Sequence, residues 1–175
     1  HALVHESAAL WLLARCPRFA TSALYKGDSA SGWVVVSGLR GMLAEAPIDL
    51  DKRRLDLTSR DTPSLRFVAR YGAHLLNWDG IFLMTSGDVA TMVNNDPRMK
   101  DGQRKVPVRG VFYRHQSIAL CHYLYNAAGG RHREALARYV ADHYRTNQPR
   151  MNPKVAFRMT AKELGINVLA YARGR

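Results

Sequence analysis

The sequence predicts a mainly α fold of about six helices with few short strands, and three stretches carry that expectation. "FYRHQSIALCHYLYNAAGG" is a long helical run closed by two glycines, the residue type that ends helices in the left-handed conformation. "RHREALARYVADHYRT" places Leu136, Tyr139, Val140 and Tyr144 at helical spacing, with arginines on the other face. "HALVHESAALWLLAR" is rich in Ala and Leu, and Pro17 stops it.

Taken in order, residues 1 to about 15 form the first expected helix, and "TSALYKGDSASG" is a small, polar, glycine-bearing loop. "WVVVSGLRGMLAE" starts as a β-branched run and shifts to a helical pattern, with Leu39, Met42 and Leu43 on one side and Pro47 as the stop. "IDLDKRRLDLTSRD" alternates apolar and charged residues, as a short strand or an exposed extended segment does. "PSLRFVARYGAHLL" is a helix broken near Gly72. "NWDGIFLMTSGDVATMVNN" holds a short apolar turn and then a helix capped by Ser86 or Asp88. Residues 95–110 are a basic loop dense in turn formers. In "NPKVAFRMTAKELGINVLAYARGR", Asn152 and Pro153 open a helix that Gly165 interrupts.

A length of 175 residues suffices for one domain with a sizeable core. The expected organisation is a single helical domain over 1–175, with helices in 1–47, a linker and short helices in 48–110, and C-terminal helices in 111–175. Because the sequence starts at His1 rather than at Met, a fragment of a longer chain is expected, and no compartment follows from the missing signal peptide. A hydrophobic content of 47% excludes wholesale disorder. No apolar run reaches the ~20 residues that cross a bilayer. The net charge of +12 favours anionic partners, nucleic acid among them, although the basic residues are spread along the chain and form no block. Cys16 and Cys121 have no metal-binding spacing; they either pair or are two buried thiols.

The opening "HALVHES" sets His1 and His5 four apart, on one face of the first helix, where two imidazoles can grip one metal ion. An incidental pair on an amphipathic helix has the same spacing. With Glu in place of Ala2, the stretch reads H-E-x-x-H, in which the glutamate is the general base of a zinc peptidase.

Together with "WVVVSGLRGMLAE", this opening resembles the gluzincin-type zinc metallopeptidases, whose third ligand is a glutamate in a W-x-x-E-G-x-A context. Trp33 and Gly38-Leu39 fit that context, and Ser37 stands where the ligating glutamate is expected. "LLNWDGIFLMTSGDV", the "FYRHQSIALCHYLYNAAGGRHREALARYV" helix pair and "AFRMTAKELGINVLAYAR" resemble, in the same order, later segments of a bacterial branch of such domains. In that family, strands ahead of the first helix complete the cleft, and the sequence here has none.

The resemblance implies zinc held by His1, His5 and residue 37, with residue 2 deprotonating the metal-bound water for attack on a peptide carbonyl. It also implies that Tyr113 stabilises the oxyanion. Here Ala2 removes the base, a loss of roughly 10²–10⁴ in rate. Ser37 replaces a carboxylate by a poor, neutral donor, so zinc is weakened or absent and the domain is inactive as written. A degenerate pseudopeptidase accounts for both replacements, a substrate-trapping substitution for Ala2 alone, and misread glutamates for both.

Blander readings stand beside these. Tyr113 packs as a core aromatic, and Phe112, Tyr123 and Tyr125 extend the same stripe. His115 and His122, two helical turns apart, are either additional ligands or buried, hydrogen-bonded histidines. The expected partner is a peptide or protein. The alternative from a different class is a non-catalytic basic helical module that binds a protein partner or an anionic surface.

Overall fold

The computed structural model describes residues 33–49, 54–96, 108–145 and 152–174. The expected helix at 1–15, the loop after it, Cys16 and residues 97–107 of the basic loop lie outside these residues, as does the side chain of Tyr144. The fold is mainly α. The described residues form α1 (Trp33–Glu45), α2 (Pro63–Arg70), α3 (Trp78–Leu83), α4 (Ser86–Asn94), α5 (Arg109–Asn126), α6 (Arg133–Arg145), α7 (Pro153–Phe157) and α8 (Ala161–Ala172). Among them the one extended pairing is a two-residue antiparallel ladder of Ile48–Asp49 with Arg54–Leu55.

Helix α5 is the axis of the fold. Phe112, Tyr113 and every residue from Gln116 to Leu124 are buried, so it presents no continuous polar face. A helix buried on nearly every side must be wrapped, and α1, α2, α4, α6 and α8 pack around it. The closest of these partners is α1. A Cβ on Gly38 would overlap the Ser117 carbonyl, and one on Gly41 would overlap the Ile118 side chain. Two glycines three residues apart thus let the α1 backbone rest directly on α5. The Val34–Val36 run is helical, not extended, and all three valines are fully buried. Burial against a neighbour outweighs the few tenths of a kcal/mol by which β-branching disfavours helix.

Local signals set the remaining ends. Pro63 opens α2, and the Thr62 hydroxyl accepts from the Leu65 N–H. The helix stops at Arg70, and Gly72–His74 forms one 3₁₀ turn, as the break near Gly72 foretold. Helix α4 is capped by Thr85, not by Ser86 or Asp88; Asp88 is the other half of its capping box. Asp96 accepts from the Arg109 N–H at 2.6 Å and so anchors the start of α5. The double glycine ends α5 through a turn in which Ala128, Gly129 and Gly130 are left-handed, with φ of 49°, 68° and 84°.

Leu136, Tyr139 and Val140 of α6 are buried, and the Tyr139 ring stacks on Phe157 of α7 at 5.5 Å. The last segment departs from expectation. Gly165 does not interrupt a helix: it lies inside α8, where a Cβ would collide with the Trp78 indole. The break falls earlier, at Arg158, which adopts φ 56° between α7 and α8. Thr160 and Glu163 then form a second capping box.

Gly38→Ala is expected to destabilise the fold by roughly 3 kcal/mol or more, because the clash is with backbone that cannot rotate away. Gly80→Ala, in α3, meets only Asn77 Oδ1 at 3.9 Å and should be tolerated. Urea unfolding of the two variants checks the contrast.

Candidate functional site

His1, Ala2 and His5 lie outside the described residues. Ser37 is half-buried on α1, and Tyr113 is buried in the second turn of α5. The α1–α5 crossing brings these two together. Burial pushes the Tyr113 phenol well above its usual pKa, while the nearby Ser37 and Ser117 hydroxyls hold it partly down and Cys121 adds to the rise. Neither serine meets the phenol in good hydrogen-bond geometry, and its buried oxygen has no hydrogen-bond partner. Ser117 instead donates to the Tyr113 carbonyl at 2.7 Å. The Cys121 thiol is free, fully buried and donates to the Val35 carbonyl at 3.3 Å. The result is a neutral hydroxyl cluster in an apolar interface.

Such hydroxyls have the chemistry to donate to an oxyanion, but the Tyr113 oxygen is buried here. The cluster supplies no anionic oxygen at neutral pH, and the described part of the expected metal site therefore does not fit zinc, which takes thiolate, imidazole or carboxylate donors. Among the described residues, no three His, Cys, Asp or Glu side chains converge as metal ligands.

A second polar group joins three helices and was not anticipated from sequence. Glu45, at the end of α1, accepts from the Ser64 hydroxyl at 2.8 Å and from the Ser64 N–H at 3.2 Å. Ser64 Oγ lies 2.8 Å from His115 Nδ1. Serine has one proton to give, and the carboxylate takes it, so His115 Nδ1–H must be the donor to Ser64. The ring stacks on Phe67 at 4.2 Å, and burial, with Arg114 beside it, lowers the His115 pKa to about 4. These are the residue types of a hydrolase triad in the wrong order. In a triad the histidine stands between the acid and an accessible serine; here the serine is central and 0% exposed. The group is a strut linking α1, α2 and α5.

His122 also differs from expectation. Neither ring nitrogen has a hydrogen-bond partner, the residue is fully buried, and that burial lowers its pKa to about 4. His115 is hydrogen-bonded, as the blander reading has it; His122 is not. Buried Gln116 is satisfied, because its side chain accepts from the Leu76 N–H at 2.7 Å and donates to the Leu76 carbonyl at 3.1 Å.

The chain matches no protein-family model, and comparison with curated proteins and with solved structures found no match either. The gluzincin resemblance rests on the motifs and their order.

Both histidines titrate near 4 when folded, against an ordinary value of 6.5. Between those values the unfolded chain binds more protons, so stability is lost as pH falls from about 6.5 towards 4. His122→Leu removes its share of that loss. At neutral pH the same change leaves stability unaltered or raises it by roughly 1 kcal/mol, because two orphaned nitrogens are removed. Denaturant titrations at neutral and acid pH measure both effects.

Proposed function

We propose that this chain is a gluzincin-type metallopeptidase-like domain that has lost peptide hydrolysis and retains a peptide-binding role. One observation supports the reading beyond the ordered motifs: Ser37 and Tyr113, far apart in sequence, adjoin at the α1–α5 crossing. A third metal ligand and an oxyanion donor must be neighbours in such an enzyme, and these are the two positions to which the resemblance assigns those roles. The protonated phenol keeps its hydrogen to donate, but its oxygen is buried in this structure, so a peptide carbonyl reaches it only if the α1–α5 crossing opens. Ser37 contributes a second hydroxyl. With Ala2 in place of the base, nothing at that position takes a proton from water.

The net charge of +12 favours a second reading, a basic helical module for an anionic partner such as nucleic acid. Salt dependence separates the two, since phosphate-driven binding weakens steeply with ionic strength.

The decisive experiment restores what is missing. Ala2→Glu combined with Ser37→Glu should bind about one zinc per chain and hydrolyse a generic peptide substrate, while the unaltered chain binds substoichiometric zinc and does not. Elemental analysis and a peptide-cleavage assay read this out. A restored variant that keeps its helical circular dichroism yet holds no zinc overturns the peptidase-like reading.

A further inference from the structure

At the far end of α5 from Tyr113 lies a concavity of about 590 Å³, walled by the Thr58–Arg60 segment, the Ala127–Gly129 turn, Arg133 and α8. Its volume is that of a small-molecule site. Two guanidinium groups line it, and both are held in place. Arg60 Nη2 donates to the Tyr171 carbonyl at 2.5 Å, and the guanidinium lies 4.4 Å from the centre of the Tyr171 ring. Arg133 Nε donates to the Tyr125 carbonyl at 2.7 Å, and the guanidinium lies 4.4 Å from the Tyr125 ring centre.

Each guanidinium thus spends one N–H on a carbonyl and rests on an aromatic face, with further N–H groups available. The lining among the described residues includes no Asp or Glu, so the two positive charges face no carboxylate there. Asn126 and Asn167 add amide groups to the wall. Asn126 is itself fixed by donating to the Leu57 carbonyl at 2.8 Å. The buried Tyr171 hydroxyl has no hydrogen-bond partner. Apart from Thr58 and Gly129, the remaining surface is alanine (Ala127, Ala128, Ala170) and tyrosine.

We propose that this concavity binds a small molecule in which an oxyanion, carboxylate or phosphate, is attached to a flat apolar body. The oxyanion is taken by Arg60 and Arg133, whose planar forks match either group. The apolar body lies against the alanine and tyrosine wall. A bare inorganic ion fills only a small part of this volume. The site is separate from the Ser37–Tyr113 cluster and stands whether or not the peptidase-like reading holds.

Titration with phenyl phosphate, benzoate, inorganic phosphate and neutral benzyl alcohol, followed by calorimetry or NMR shifts, tests it. Phenyl phosphate or benzoate should saturate at or below roughly millimolar concentration, with benzyl alcohol at least about tenfold weaker. Whichever of the two aromatic anions binds more tightly identifies the preferred oxyanion. Arg133→Gln should weaken binding about tenfold or more, and Arg133→Lys several-fold, since lysine keeps the charge but not the fork. Ala170→Phe fills the concavity, leaves both arginines in place and should abolish binding. Absence of saturation by both aromatic anions up to about 10 mM overturns the proposal. So does unchanged binding in folded Arg133→Gln and Ala170→Phe proteins.

Discussion

The contact on which this structure depends is backbone against backbone: α1 lying on α5 where Gly38 meets the Ser117 carbonyl and Gly41 meets Ile118. Each glycine inside a helix costs about 1 kcal/mol relative to alanine. The close crossing offsets that cost by seating Val34, Val35, Val36 and Met42 fully out of water. It also sets the neighbourhood of every polar group nearby. The Cys121 thiol reaches the Val35 carbonyl, and the Ser37 and Ser117 hydroxyls come beside the Tyr113 phenol. Farther along α1, the same placement brings Glu45 to Ser64 and fixes where α2 starts.

Polar groups inside this interior fall into two kinds. Gln116, Ser64 and Ser117 are satisfied by backbone or side-chain partners, so their burial adds specificity at little cost. Tyr113 Oη and both nitrogens of His122 are buried without partners. Each such group costs about 1–3 kcal/mol relative to a bonded one. The two residues lie on α5, the most buried helix, where an apolar side chain of similar volume would pack without that cost. A core that keeps such groups is more polar than stability alone requires, and Tyr113 is one of the two positions on which the peptidase-like reading rests.

Helices were the most legible feature. The 133–145 helix follows from periodicity, because its core-facing positions recur at helical spacing, and the 109–126 helix from its long helical run and the glycine stop. The valine run was read as β-branched, since intrinsic preference is weak and the contact that overrides it lies across the fold. Gly165 reads as an interruption because a sequence shows the missing side chain but not the Trp78 indole that needs the space. Sequence offers Ser86 or Asp88 as the cap of α4, and only the hydrogen bonds decide for Thr85, with Asp88 as its partner in the capping box. Ser37 and Tyr113 were named through motif order, and their adjacency emerged only in three dimensions. Nothing local in the sequence points Glu45, Ser64, Arg60 or Arg133 to its partner; the fold brings them together.

The closing helix has a consequence of its own. Helix α8 contributes Asn167, Ala170 and Tyr171 to the concavity, and it is keyed to the body where the Trp78 indole enters the notch at Gly165. Leu164 and Val168 fasten the same helix to the core. One wall of the concavity is therefore positioned by core packing, not by the groups that line it. A change at Trp78 or Gly165 that shifts α8 would reshape the concavity without altering any residue that lines it.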